Sequence, residues 1–554
     1  MVNTSIKNYW KIVQSSNPRR LIIAFTYDPK WVTLVKSVPD RKYDPSTKTW
    51  NIPSTEINRV VGSLKHHKIP YTIDERISET IQRKKQEDER LIDIKFGKGL
   101  IDLPVFPTTP YAYQHLGISY LVQGKRCILA DDMGLGKTIS SLYASQILGV
   151  EPILILCPST LKWNWEKELN KHLPGVSYSL VHGTKVKREK QWNVDTSIYI
   201  CSYELLRYDT DTIRSKKFQL IIADEATRLK NHVAQTTKIV KSLKVPYRFA
   251  LTGTPIENKV EELHSILDWC QPGLLGSKRS FLERYAILDF FGNVVRLKPE
   301  GISELRRTVA PYILRRTKDE VLTELPPKLR QDVTVEFSTA ERRMYKELVK
   351  EILREMGEEV MSSPMVKTLR AKQFTSCPRV LGYEFDGPKF KELETIFKEG
   401  EGHKFLVFSE FAEVVKRLAA VFSAPAIYGD VKQPDRQKII DSFNEDKKQL
   451  VLFSSSVANY GVEITGADVV VHLDAPWNPA VRDQREDRVH RPGQVRPVNV
   501  IRLAVRNSVD DRIDKVIASK LNIRSQVLDD IDYEASVRRF TKKDWEAALL
   551  DDDD

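Results

Sequence analysis

No apolar run in these 554 residues approaches the roughly 18 that a membrane span needs. No internal repeat or low-complexity tract is present either, which sets aside solenoids and unstructured polar tracts. Cysteine is scarce: Cys127, Cys157, Cys201, Cys270 and Cys377 stand far apart, with no C-x-x-C pair among them. That spacing argues against zinc and disulfides and for a reducing compartment. The opening MVNTSIKNYW lacks the apolar core of a secretory signal, so the expected location is the cytoplasm of a bacterium or of a virus's host, or the nucleus in a eukaryote. Charged residues make up 29% and hydrophobic ones 41%, the balance of a folded chain that needs no membrane. The length holds about three to four domains, and a monomer is expected.

What is present in excess is positive charge, +12 overall, and it is concentrated at the front. Between Met1 and Pro70 twelve Lys/Arg face four Asp/Glu, whereas the chain closes on DDDD. Such a front suits a polyanion, because neutralised phosphates release counterions; a solvated basic surface would give the same count. Within it RLIIAFTY and TWNIP read as strands, and YDPSTKT supplies turn chemistry through Asp44-Pro45. DERISETIQRKKQEDER follows, highly charged and without a broad apolar face, an exposed helix or linker.

From about residue 101 short apolar runs alternate with longer amphipathic stretches. RCILA, PILILCP, SIYICS, LIIADEA and YRFALTG read as buried parallel strands, and KFLVFSEF, LVLFSSS, VVVHLDAP and VNVIRLAV as a second set. The expected class is α/β with two parallel-sheet lobes, helical insertions between them and a small β-rich N-terminal domain. The layout is an accessory domain over 1–75, a charged linker over 76–100, a first lobe over 101–274, helical insertions over 275–400, a second lobe over 401–508, and a closing helix with an acidic tail over 509–554.

ILADDMGLGKTIS follows a strand and opens a helix, the setting of a phosphate-binding loop. Gly134 and Gly136 let backbone N–H groups approach phosphates, Lys137 brings charge to the β and γ phosphates, and the Thr138 hydroxyl is a Mg²⁺ ligand. Asp131 occupies the place of the pattern's first glycine. LIIADEAT puts Asp224 and Glu225 at a strand end, Asp224 to hold Mg²⁺ and Glu225 as general base; alone, DEAT is equally a helix cap. In LTGTP, the Thr252 and Thr254 hydroxyls either couple hydrolysis between lobes or form an ordinary turn. QREDRVHRPGQ spaces Arg488 and Arg491 three apart, on one face of an expected helix, where they can act as fingers on the γ-phosphate if the second lobe closes on the first.

In order and spacing these motifs resemble the superfamily 2 helicase-like motors and, within them, the Swi/Snf-type DNA-translocating ATPases, over about residues 105 to 525. The resemblance implies RecA-like lobes, ATP and Mg²⁺, and double-stranded or branched DNA as partner. YAYQHLGISYLV resembles the family's adenine-recognising motif, which carries that role to Gln114. CPSTLKWNWEKEL resembles motif Ia and places Ser159, Thr160 and Lys162 against nucleic-acid backbone, while Trp163 and Trp165 serve equally as core packing. Ser409 and Asn478 are added to that track. YILRRTKDEVLTELPPK resembles a family-specific stretch between the lobes, and DAPWNPAVRDQREDRVHRPGQ resembles motif VI, carrying the finger roles to Arg488 and Arg491. SSSVANYGVEIT departs from the usual motif V, keeping Gly461 but replacing the paired glycines with Ala458 and Asn459.

RKYDPSTKTWNIP resembles the accessory domain of annealing helicases, on the spacing Y-D-x-x-T-K-x-W. Arg41, Lys42 and Lys48 would then contact phosphates from an exposed edge, and Tyr43 and Trp50 either join them or pack a small sheet. The expected function is a DNA-dependent ATPase that tracks on duplex and remodels branched DNA. Displacement of proteins from DNA, and a nonhydrolysing ATP-gated clamp, are the alternatives. Contacts to backbone carry little sequence information, so the activity is expected to read structure rather than sequence.

Overall fold

The computed structural model describes residues 9–511 except 18–19, 254, 256–259, 289, 291–293, 323, 359–363, 447, 449, 456–463, 475, 477–478, 492–493 and 495. Among the described residues the larger sheets have five, seven and six strands.

Alternation builds the first sheet. Trp10 and Ile12, Leu21 and Ile23, and Ile52 are buried at every second position of Trp10–Gln14, Arg20–Ala24 and Thr49–Pro53, so each strand turns one apolar face inward. The spatial order is Lys42–Asp44, Thr49–Pro53, Arg20–Ala24, Trp10–Gln14, Tyr71–Ile73, antiparallel throughout except for the last, which runs parallel to Trp10–Gln14. Helices Pro29–Lys36 and Ile57–His66 bury Val35, Val60 and Leu64 in the same core. Asp28 caps the first, its carboxylate accepting from the Lys30 N–H at 2.7 Å. The domain expected to be β-rich is built on this five-stranded mixed sheet, with two helices packed on it.

The charged stretch that follows is helix Glu75–Lys95, and it is anchored at both ends. Ile77 joins the N-terminal core, Lys84 donates to the Tyr312 hydroxyl at 2.6 Å, and the Lys95 ammonium donates to the carbonyls of Ala310 and Ile313. Few apolar residues were needed because three lysine hydrogen bonds, one to a tyrosine hydroxyl and two to carbonyls, supplement Ile77, Leu91 and Ile94.

The seven-stranded sheet is wholly parallel, in the order Ile313–Leu314, Arg126–Leu129, Tyr247–Leu251, Leu220–Asp224, Ile153–Cys157, Ile198–Ser202, Tyr178–Leu180. The six-stranded sheet is parallel too, in the order Lys328–Val335, Val498–Val505, Val469–His472, Phe405–Phe408, Val451–Ser454, Ala426–Ile427. All nine runs read as buried strands are strands. The segment 275–400, expected to be helical insertion, also gives Ile313–Leu314 to one sheet and Lys328–Val335 to the other.

The chain divides into two compact units. One comprises Met1–Ala130, Lys137–Cys157 and Leu169–Arg315, and the other Asp131–Gly136, Pro158–Glu168 and the chain from Arg316. The N-terminal domain and the seven-stranded sheet thus share the first unit. No described helix is long and apolar enough to cross a membrane, and the five cysteines are buried thiols.

Candidate active site

Parallel strands align their carboxyl ends along one edge, the edge where open α/β sheets bind ligands. In the first unit Leu129, Leu251 and Asp224 are level across three neighbouring strands. The segments beginning at Ala130, Thr252 and Glu225 therefore leave the sheet side by side. Thr252 is fully buried and its N–H donates to the Leu129 carbonyl at 3.1 Å. Glu225 takes φ 47°, ψ 56°, a left-handed conformation that costs a non-glycine residue about 1 kcal/mol or more. Its N–H is held by Asp224 Oδ1 at 2.9 Å, and the Tyr203 hydroxyl donates to the Asp224 carbonyl at 2.8 Å. Burial pushes the Tyr203 phenol well up, with the nearby Asp224 charge adding to it, so it stays a donor. The strained turn leaves both carboxylates half-buried at the ligand edge.

Lys137 opens helix Lys137–Leu148, followed by Thr138, and both are half-buried. Gln114, read as the adenine contact, is buried in helix Ala112–Gly124, and its Oε1 accepts from the Tyr111 N–H at 3.0 Å. It acts here as a helix N-terminal cap.

The second unit holds the glycines of the phosphate loop, Gly134 at φ 87° and Gly136 at φ 77°. Those angles suit glycine, whose missing Cβ also lets the backbone approach an anion closely. Asp131, which interrupts the glycine pattern, is 1% exposed and forms a bidentate ion pair with Arg316, from Nε to Oδ1 at 3.0 Å and from NH2 to Oδ2. The Asp132 N–H donates to the Arg316 carbonyl at 3.0 Å, and the Lys318 N–H donates to Asp132 Oδ2 at 3.3 Å. The residues RRTK therefore clamp the loop where a glycine would have left it loose.

The same stretch grips QREDRVHR. Lys318 Nζ lies 2.9 Å from Asp487 Oδ1 and donates to the His490 carbonyl at 2.5 Å. Lys328 Nζ lies 3.1 Å from Glu486 Oε2 and 3.3 Å from Asp487 Oδ1, and Arg330 donates to Glu486 Oε2 at 2.8 Å. Burial would raise the Asp487 carboxyl, but Lys318 and Lys328 hold it below its usual range. Arg316, Lys318, Lys328 and Asp132 escaped the sequence reading, which valued that stretch only as a family marker. The run of cations in RRTKDE, facing the acids of REDR, was the available signal.

Arg488 and Arg491 do not share a helix face as expected. Helix Pro479–Glu486 ends before them, Arg488 lying in the turn that follows and Arg491 in a bend. Pro492 further keeps Arg491 from helix, since the residue before proline is steered away from it. Arg488 is buried, whereas Arg491 is half-buried with its Nε donating to the Asp487 carbonyl at 2.9 Å.

On the expected nucleic-acid track, Ser159 is exposed, Thr160 is half-buried, and Lys162 is the first residue of helix Lys162–His172. Trp165 is core at 1% exposure, but Trp163 is 43% exposed. Ser409 is a correction: it is fully buried and its Oγ donates to Asp474 Oδ2 at 2.5 Å, which removes it from any surface. Thr254, Gly461 and Asn478 lie outside the described residues.

Comparison with known proteins matches residues 65–380, more than half of the chain, to the SNF2-related domain. The chain belongs to the SNF2-related family. Residues 388–493 match the helicase conserved C-terminal domain and residues 21–70 match HARP, the HepA-related protein domain. It is thus a superfamily 2 helicase-like ATPase with a HARP domain ahead of the motor. A Mycoplasma pneumoniae protein described as an "Uncharacterized ATP-dependent helicase" is 32% identical over 72% of this chain and 40% of its own length. The zebrafish (Danio rerio) "Chromodomain-helicase-DNA-binding protein 1-like" is 29% identical over 79% and 45% respectively. The chain spans less than half the length of these relatives. The Sulfolobus solfataricus SWI2/SNF2 ATPase core, solved with dsDNA, is 30% identical, covering 78% of this chain and 95% of that one with a TM-score of 0.40, so the family assignment rests on sequence.

In this SNF2-related chain the HARP match spans the hairpin Lys42–Asp44 and Thr49–Pro53. Tyr43 pairs across the strands with Trp50, ring centroids 4.8 Å apart, Trp50 packed against the core and Tyr43 half exposed. The two aromatics do divide the roles left open by sequence, one packing and one presented. Arg41, Lys42 and Lys48 are all exposed, with Lys48 at φ 52° in the turn. Arg41 also donates to the Val38 carbonyl at 3.0 Å.

Proposed function

We propose that this chain is a DNA-stimulated ATPase that tracks along duplex DNA and remodels branched DNA by fork regression, annealing or branch migration. The observation that carries the reading is the union, in one chain, of an SNF2-related motor with a HARP domain whose hairpin presents Arg41, Lys42 and Lys48 to solvent. Exposed cations beside an exposed tyrosine suit phosphate backbone and an unstacked base at a junction.

In this reading Lys137 and the N–H groups around Gly134 and Gly136 hold the ATP phosphates, and Gln114 lies near the base. Asp224 and Thr138 offer a carboxylate and a hydroxyl, the hard oxygen donors that Mg²⁺ prefers, from the ligand edge of one sheet. Mg²⁺ would supply charge to the phosphate oxygens. Glu225, its backbone fixed by Asp224, takes a proton from the attacking water. Arg488 and Arg491 stabilise charge on the transferred phosphoryl group, Thr252 and Thr254 couple hydrolysis to movement with Gly461, and Ser159, Thr160, Lys162 and Asn478 touch DNA backbone.

ATP turnover measured with forked DNA, plain duplex and single strands tests the proposal. Turnover is expected to rise with duplex, most with forks, and little with single strands. Equal stimulation by single strands would favour a conventional strand-separating helicase, and no turnover with any DNA would defeat the reading.

A further inference from the structure

Lys318 sits where the phosphate loop and the QREDRVHR segment meet within the second unit. A Cβ placed on Gly134 would lie 3.6 Å from Lys318 Cε, 3.8 Å from its Nζ and 3.3 Å from Arg491 Cγ. The same Nζ is bound to Asp487 and to the His490 carbonyl, and the Asp487 carbonyl in turn receives the Arg491 Nε–H. The lysine is 5% exposed.

A buried cation here needs explaining. A lysine removed from water loses hydration that one ion pair rarely restores, and a well-packed apolar side chain often does as well for stability. Neutralising Asp487 is not a sufficient reason, because Lys328 stands 3.3 Å from the same Oδ1. What distinguishes Lys318 is its place: it fills the space where a side chain on the loop glycine would go at one side and binds the backbone that orients Arg491 at the other.

We propose that Lys318 is a positioning residue for ATP hydrolysis, a buried ammonium that fixes Asp487 and the His490 carbonyl and thereby seats Arg491 over Gly134, and that it works only while charged. The inference rests on the chain's being an ATPase and is independent of the choice among DNA structures.

The charge has a defined limit. Burial pulls the Lys318 ammonium down to about 8, with Asp487 opposing the shift and Lys328 and Arg491 adding to it. The other groups facing it are Asp132, which accepts its backbone N–H, and His490, which burial keeps neutral. A lysine with a lowered pKa is charged below that value and neutral above it, so its effect is present at neutral pH and lost as pH rises through about 8.

Steady-state ATPase with saturating DNA, across pH, on the parent, Lys318→Met and Lys318→Arg tests this. Lys318→Met is expected to lower kcat by about tenfold or more while KM for ATP stays within about threefold, and Lys318→Arg to recover most of kcat. The parent's kcat should decline above pH of about 8, and the always-charged guanidinium should move that decline up by at least about one unit. Parental kcat in Lys318→Met, or an alkaline decline shared by the parent and Lys318→Arg, overturns the proposal. If neither variant folds, the parent decides alone: a profile flat to about pH 9.5 overturns it and a decline near 8 supports it. Absence of turnover in the parent would instead overturn the ATPase reading, so the two failures are distinguishable.

Discussion

The hairpin and the loop clamp both collect cations, and they use them in opposite ways. Arg41, Lys42 and Lys48 stand in water on a two-strand edge, whereas Arg316, Lys318 and Arg488 are each at least nine-tenths buried and Lys328 is half-buried beside its acids. Water screens the first group, so each charge is replaceable and the group acts by its sum. In the second group Arg316, Lys318 and Lys328 each have a particular carboxylate or carbonyl, and losing one leaves its partner stranded in a low dielectric. Single substitutions should therefore be severe in the clamp and at the sheet edge, and graded in the hairpin.

The largest effect is expected at the sheet edge. Glu225→Gln keeps the shape and the Asp224-held backbone but removes the base, so kcat should fall about 10²- to 10⁴-fold with ATP binding retained. Single-turnover kinetics with a fluorescent ATP analogue separates the two. A variant that hydrolyses at the parental rate would remove Glu225 from the mechanism.

Next comes the clamp itself. Arg316→Met leaves the Asp131 carboxylate buried without its bidentate partner and should cost about 3–5 kcal/mol by denaturant unfolding of the first cooperative transition. Asp131→Gly in the same background removes the stranded charge and restores the loop's usual glycine, so the double variant should regain much of that loss. Were the double variant no more stable than Arg316→Met, the pair would not be coupled and the contrast with the hairpin would weaken.

These effects also show what the sequence could tell. Ile221, Ile222, Leu154, Ile155 and Val470 lie in strands buried on both faces, so their apolar runs were legible without any partner. Lys328–Val335 was not legible: its residues are mostly exposed until Val335, because the strand lies at the end of the sheet order and pairs on one side with Val498–Val505. An edge strand needs little apolar surface, and its polar composition imitates a helix or a loop. The same blindness hid the clamp. Arg316 and Asp131 are 185 residues apart, and nothing local in either distinguishes a buried ion pair from two solvated charges. Motif spacing did locate the level row of Leu129, Leu251 and Asp224, since each motif follows its own strand. It misjudged Ser409, whose hydroxyl Asp474 occupies, and the helix expected under Arg488 and Arg491, which ends at Glu486.

The smallest and most graded effect belongs to the hairpin. Removing three exposed cations together, Arg41→Ala, Lys42→Ala and Lys48→Ala, should shift stability by no more than about 0.5 kcal/mol per site, because none of the three is paired with a buried carboxylate. Its signature should be in binding instead. If each cation neutralises one phosphate at a fork, the dependence of log K on log salt should become shallower by about 0.9 for each, up to about 2.7 in all. Single variants should each account for about a third of that change, in contrast to the all-or-none loss expected at Arg316. Fluorescence anisotropy on forked and plain duplex, at several salt concentrations, measures it directly. A shallower slope on forks with little change on plain duplex would place the hairpin at the junction, whereas an equal change on both would make it a general backbone contact. An unchanged slope on both would return Tyr43, Trp50 and their neighbouring cations to a packing role, and the two cation clusters would then differ only in burial.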